Sequence, residues 1–507
     1  MPRRTPASTP SRSTPRRAGK DRAVAEFVRH RIPFAGRRAV TAPATCAQRH
    51  IWNLMQRQLP DAAFYDVCFP VPLRGHGTTE DLLDVFAELL GRHESLRTGF
   101  HRDVDGALVQ QVVDAAEFEA EVWTLPPDGD PDSVLQAWER RMRHTAFDPG
   151  QAPLIRFMVT VVDGAPVLAA FCVSHLAVDL TSVRLLADEM TRLLDARAAG
   201  RPLPPAVPSR QPVEQAQWEN SPRGRALQAR AHAYWCRQLE SAPATLFPPR
   251  NGSVGGAGGL VAPVRYSAGM ESRAVALAVP MVARRWRVST SVVLLTVVAQ
   301  LLGRRAGQPS CTLRLLTANR SAPELRATIA NLHAEVPVTI DLQGDRVENV
   351  ARRALAACTA AYANGLYDPD DAEGLIASAR RNGTPVDLSY CFNDVREEQS
   401  LPDTAEGRAT VSGADLRAAM AETVVGPDEF EEGETFFIVI DDETPGLIRL
   451  VLNADHRALT PSEVHGFLND IERLLVEYAE GAESTESTGE TEPRVSAGGT
   501  TGRVASA

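Results

Sequence analysis

Apolar residues recur along this chain at two alternating spacings, which read as helices interleaved with strands. Between Thr79 and Arg92, the side chains of Leu82, Phe86, Leu89 and Leu90 fall on one face at helical spacing and predict an amphipathic helix. Leu96–Phe100, a turn around Asp105-Gly106 and Leu108–Val113 predict a hairpin. A stronger hairpin signal follows. Phe157–Val162 and Val167–Val173 flank Asp163-Gly164, a dipeptide suited to a two-residue turn. Val183, Leu186, Met190 and Leu193 then line a helix.

Pro, Arg and Gly crowd Ala199–Pro212, which predicts a linker. Beyond it the texture repeats. Ser289–Leu302 reads as an apolar helix, and Thr312–Leu316 and Val336–Ile340 read as strands. Phe436–Ile440 and Leu447–Leu452 flank a turn at Asp441–Gly446, and Pro461–Tyr478 closes with a helix. The expected fold class is α/β (α+β layered), two lobes facing a common cleft. No short-period repeat points to a solenoid or propeller. The predicted divisions are a basic tail and lead-in over residues 1–36, a first lobe over 37–212, a second over 213–480 and a tail over 481–507. Residues 1–22 hold almost no large apolar side chain and are expected to be disordered, as is Gly481–Ala507.

The 507 residues are 44% hydrophobic, enough for a large core. The net charge of −10 is unevenly spread. Residues 1–22 carry about +6, which leaves an acidic body, and an acidic body argues against nucleic acid as the main ligand. The seven cysteines include no Cys-x-x-Cys pair, so no zinc or redox motif is expected and a reduced cytoplasm fits. No apolar window of ~18 residues predicts a membrane span, and no apolar stretch follows the basic N-terminus as a secretory signal requires.

Chemistry concentrates where the strand ending at Val173 runs into Ser174-His175-Leu176-Ala177-Val178-Asp179-Leu180. A strand end holds His175 still, and imidazole is the side chain suited to moving a proton near neutral pH. Asp179 enters the next helix and can cap it. Alone, this His-x-x-x-Asp pattern is met by chance and fits a structural histidine better than a reactive one.

Other segments change that reading. Thr45–Leu54 resembles the pattern Ser-x-Ala-Gln-x-Arg-x-Trp-x-Leu, and Arg92–Phe100 matches Arg-His-Glu-x-Leu-Arg-Thr-x-Phe in full. Phe147-Asp148 with Pro153–Arg156, Glu214–Trp218, Ala233-Tyr234-Trp235, Thr317–Arg320, Ile329–Pro337 and Phe392-Asn393 supply further landmarks in order. Over about residues 40–480 the chain resembles the condensation domains of nonribosomal peptide synthetases and the chloramphenicol-acetyltransferase-like acyltransferases. It departs from their His-His-x-x-x-Asp-Gly motif at Ser174 and Leu180. Asn319 replaces a Gly, and Ala334-Glu335 replaces Asn-Thr.

The resemblance implies two chloramphenicol-acetyltransferase-like lobes in a V with a cleft or tunnel between them. It implies that His175 acts as general base or positions the nucleophile, and that Asp179 forms an ion pair with Arg320. Ser174 is a supporting residue or a plain polar strand end. Arg92, His93 and Arg97 are expected in the scaffold and Trp52 and Trp218 in the core. Glu335 is expected to be a solvated bridge residue, or to bind an amine. The implied activity is stand-alone joining of a carrier-tethered acyl or aminoacyl thioester to an amine or hydroxyl, as an amide or ester. No bound cofactor or metal is implied. The phosphopantetheine arm belongs to a carrier protein acting in trans, since no Gly-x-Asp-Ser or adenylation signature is present. The other partner is a small amine or alcohol, or a second carrier-bound substrate. Leu180 and the altered bridge keep a silent module that recruits a carrier or tailoring enzyme in play, and an acyl-coenzyme-A acyltransferase shares fold and motif.

Overall fold

The computed structural model describes residues 26–58, 62–73, 77–243, 245–247, 264–344, 346–384, 386–396, 411–430 and 433–481. The expected tails lie outside the described residues over 1–25 and 482–507. Glu26–Ala35, within the stretch read as lead-in, is a strand. The described residues form two compact units. The first holds those through Ala233 and two segments that return from later in the chain, Thr317–Ala334 and Asn364–Gly374. The second holds Tyr234–Leu316, Glu335–Ala363 and the described residues from Leu375 onward. This division differs from the break expected at Pro212. Side chains of the first unit hold the linker: Arg92 Nη2 donates to the Pro204 carbonyl (2.7 Å), and the Gln211 side chain accepts from the Glu94 N–H (3.0 Å).

The chain begins with β1 (Glu26–Ala35), β2 (Val40–Pro43), α1 (Cys46–Gln58), β3 (Asp66–Pro72), α2 (Thr79–Arg92), β4 (Thr98–Arg102), β5 (Leu108–Val112), β6 (Ala115–Leu125) and α3 (Pro131–Met142). It continues with β7 (Ile155–Val162), β8 (Ala165–Ser174), α4 (Leu180–Ala198), α5 (Pro212–Glu219) and α6 (Pro222–Ser241). One sheet has the order β1-β6-β7-β8-β3, and a smaller one β2-β5-β4.

Helix α2 has the bounds its apolar spacing predicts. Thr78 closes its first turn by accepting the Asp81 N–H (3.1 Å), while the Asp81 carboxylate accepts the Thr78 N–H (2.9 Å). Leu82, Val85, Phe86, Leu89 and Leu90 are buried, each contributing about 1.5–3 kcal/mol by leaving water. Phe86 stacks on Phe157 of β7, with ring centroids 4.0 Å apart.

The β7–β8 hairpin turns in two residues, Val162 pairing with Ala165. Asp163 (φ 52°) and Gly164 (φ 77°) both take the left-handed backbone that such a turn requires. Successive residues of β8 point to opposite faces. Ala169, Phe171 and Val173 join the core that contains α2 and α4 residues, and Ala170 and Cys172 join Trp138 and Met142. Covered on both faces, β8 ends as a fixed platform at Ser174.

The later elements are β9 (Arg265–Ser272), α7 (Arg273–Trp286), α8 (Thr290–Ala306), β10 (Ser310–Thr317), β11 (Ala334–Asp341), α9 (Val347–Tyr362) and α10 (Pro369–Arg381). They end with β12 (Tyr390–Asp394), α11 (Gly413–Glu422), β13 (Val425–Pro427), β14 (Phe436–Asp441), β15 (Ile448–Asp455) and α12 (Pro461–Glu480). Their sheet has the order β11-β10-β12-β14-β15-β9-β13. Among the described residues no single helix is long and apolar enough to cross a membrane.

The Arg-His-Glu segment braces the first unit. Glu189 of α4 receives Arg92 (2.8 Å) and His93 Nε2 (2.7 Å), and Arg97 donates to the Arg38 carbonyl (3.0 Å). Burial pushes the Glu189 carboxyl up, but the hydrogen bonds and charges of His93 and Arg92 outweigh it and hold the group at about 2. A carboxylate held below its unfolded value stabilises the fold above that value and loses the contribution as pH falls. Glu189→Gln is expected to lower unfolding free energy at pH 7 by about 3–5 kcal/mol in urea titrations. The gap from the parent protein should narrow below pH 4.5, on the way to about 2.

Candidate active site

His175 is the first residue past β8. Its N–H donates to the Tyr65 carbonyl (3.2 Å), at the foot of β3, which ties the turn to the sheet. Its ring Nδ1 lies 2.7 Å from the Val178 carbonyl. A carbonyl only accepts, so Nδ1 carries the hydrogen in the neutral ring and Nε2 is left with its lone pair. The residue is half-buried. Burial draws its pKa below the ordinary 6.5, against the Val178 hydrogen bond and the Asp179 charge; the charge of His50 adds to the lowering. The result is a neutral imidazole with a defined basic nitrogen.

Asp179 caps α4 by accepting the Ser182 N–H (2.8 Å). The same carboxylate receives Arg320 Nη2 at both oxygens (2.7 and 2.9 Å) and the Leu332 N–H (3.0 Å). Arg320 also donates to the carbonyls of Leu325 (2.9 Å), Thr328 (2.7 Å) and Ala330 (3.1 Å) and to Ser182 Oγ (2.8 Å). Ser182 Oγ donates in turn to the Ala330 carbonyl (2.6 Å). The segment Thr317–Ala334 is thereby fastened to the turn that carries His175.

Ser174 is buried and pairs across the ladder with Asp66. The Ser174 hydroxyl and both Asp66 carboxylate oxygens are buried without a hydrogen bond among the described residues. Burial raises the Asp66 carboxyl to about 7, with Arg156 opposing. Leu180 is the first residue of α4 and is partly exposed. Trp218 lies under the Arg210 guanidinium, 5.0 Å from its ring centroid, and Trp52 packs partly buried against the core. Glu335, expected in solvent or on an amine, is instead buried, and its carboxylate accepts from Arg314 of the same unit. Arg314, three residues before the end of β10, meets Glu335, the second residue of β11, a pairing that linear sequence does not display.

Three contributors escaped the sequence reading. Ser182 belongs to the clasp around Arg320; its signal was its place three residues into a helix capped by Asp179. His333 and His50 bring two more rings to His175. The centroids of His175 and His333 are 5.7 Å apart, and those of His333 and His50 are 5.8 Å apart. His50 and His333 also line a cavity with Cys46, Gln215, Glu219 and Tyr367. His50 stands at the Arg of the Ser-x-Ala-Gln-x-Arg pattern, a departure visible in the sequence but without meaning until the chain returns at Thr317.

Asp179→Asn removes the charge while keeping the shape. It is expected to cost about 3–5 kcal/mol of stability, because Arg320 is left buried without its counter-charge. Amide exchange at Leu332 and Ser182 should accelerate more than exchange within β7 and β8, as read by hydrogen–deuterium exchange.

Comparison with known proteins adds the following. The family model described as "Condensation domain" matches residues 39–370. The isonitrile lipopeptide synthase of Mycobacterium tuberculosis is 28% identical over 336 residues, covering 62% of this chain and 13% of that protein. This chain therefore spans only a small part of the curated relative. Among solved structures, the first condensation domain of the calcium-dependent antibiotic synthetase, in complex with a substrate analogue, has a TM-score of 0.64 at 18% identity. That alignment covers 88% of this chain and 97% of the other. The X-domain in complex with OxyB from teicoplanin biosynthesis has a TM-score of 0.65 at 17% identity, over 89% and 96%. At these identities the structural likeness establishes the fold.

Proposed function

Because the chain belongs to the condensation-domain family of natural-product assembly, we propose that it joins an acyl or aminoacyl thioester, presented on the phosphopantetheine arm of a carrier protein in trans, to an amine or hydroxyl. The observation that carries this reading is the Nδ1–Val178 hydrogen bond, which reserves Nε2 of His175 for a proton. Nε2 takes the proton of the attacking N–H or O–H as the nucleophile bonds to the thioester carbon. The carbon–sulfur bond then breaks, and the proton ends on the departing thiol. Asp179 and Arg320 hold the turn that aims the ring, and the Ser174 carbonyl accepts the Ala177 N–H (2.9 Å) at the strand end behind it. The arm is substrate carrier, not resident cofactor, and the reaction belongs in the cytoplasm, where carrier proteins are loaded.

A second reading has its own support. Leu180 replaces the Gly of the motif, and a structural neighbour, the X-domain, was solved in complex with OxyB. On that reading the protein recruits a carrier or tailoring enzyme without turnover.

Incubation with acyl-loaded carriers and candidate amines or alcohols, followed by mass spectrometry, separates the two. Condensation predicts product that falls ~10²–10⁴-fold in His175→Ala. The acid limb of kcat/KM should lie below the ordinary imidazole value of 6.5, because a lowered pKa keeps the ring basic at lower pH. Carrier binding without product, the same in parent and variant, would establish the recruiting reading instead.

A further inference from the structure

His50 and His333 come from segments about 280 residues apart in the chain, yet both belong to the first unit. The clasp described above sets their meeting. Asp179 holds the Leu332 N–H, one residue before His333. The Asn331 side chain accepts the His333 N–H (3.0 Å), and its Nδ2 donates to the Ala47 carbonyl (3.4 Å) at the start of α1, the helix that carries His50. His175, His333 and His50 thus stand in a row with neighbouring centroids 5.7 and 5.8 Å apart. Tyr367 lies edge-on to His50 at 6.2 Å. The far end of the row opens on a cavity with polar lining, a kind of site that holds water.

We propose that His50 and His333 act on the reaction through His175, as positioning residues whose rings stand in one row with it and set its proton affinity. This rests on the reading of His175 as the base. Imidazoles this close repel one another when charged, so a proton on one lowers the affinity of the next. The proton removed from the nucleophile rests on His175 only until the thiolate departs and takes it, so none is gained or lost overall.

Several charged or titratable groups stand around the row. Asp179 faces Arg320, and Arg49 of α1 binds Asp368 (2.9 Å) and Asp370 (2.6 Å). Glu219 of α5 accepts from the Cys46 N–H (2.8 Å) and Gln215 (2.9 Å), and burial raises its carboxyl. Burial likewise raises the Cys46 thiol. Glu335, two residues beyond His333, accepts from Arg314. Asp66 lies beside Ser174 on β3. Burial is the main cause of the downward His175 shift, and the His50 charge adds a smaller contribution in the same direction.

The test is an NMR titration of the full chain with ¹³Cε1-labelled histidine, which requires no turnover. His50→Gln and His333→Gln are each expected to raise the His175 midpoint by about half a pH unit or more. His50→Arg fixes a charge at that position and is expected to lower the midpoint or hold it down. The acid limb of kcat/KM should move in the same direction in each variant. A His175 midpoint that stays put in all three folded variants overturns the row, even if turnover is robust. Shifts of the expected signs in a protein with no turnover would sustain the row and overturn the condensation reading alone.

Discussion

The Asp179 carboxylate is the point on which the first unit's active end depends. It meets three demands at once: the open N-terminus of α4, the Arg320 guanidinium and the Leu332 amide. Two charges withdrawn from water cost several kcal/mol each, and only dense hydrogen bonding offsets this. Arg320 supplies that density through donors to Leu325, Thr328, Ala330 and Ser182 as well as Asp179. A lysine carries the same charge but lacks the planar fork that reaches several acceptors in fixed directions. The return for this cost is location more than net stability: a distant stretch of chain is registered against the turn that bears His175.

Behind that polar clasp lies apolar rigidity. β8 is buried on both faces, and the stacked rings of Phe86 and Phe157 join α2 to the sheet. The two kinds of order are complementary. Close packing fixes the backbone to the end of the strand, and hydrogen bonds then orient a ring that emerges from it. The Val178 carbonyl decides which nitrogen of that ring is basic, using only the local turn.

What could be read from the sequence follows the range of the forces involved. The Asp163-Gly164 hairpin and α2 were legible because their determinants are neighbours: two positive-φ residues in one case, the helical spacing of apolar residues in the other. The pairing of Asp179 with Arg320 was legible only through family resemblance, since composition says nothing about residues so far apart. β1 was hidden because charged residues interrupt its apolar pattern. The Pro-rich linker looked like a boundary because composition records backbone chemistry. It does not record the Arg92 and Gln211 side chains that hold the linker to the first unit. Glu335 was read as solvated because its partner Arg314 lies on a different strand. The histidine row needed the return of Thr317–Ala334 before it could exist at all.

That return also bears on how the protein is made. Asp179 leaves the ribosome 141 residues ahead of Arg320. At translation speeds of about 5–20 residues per second, the nascent chain waits roughly seven to thirty seconds between the two. Throughout that interval β8 and α4 can form, but the carboxylate at their junction has no countercharge. The first unit is therefore a late product of its own synthesis, completed only after much of the second has emerged. A gene fragment cut at the visible linker would encode an unfinished half.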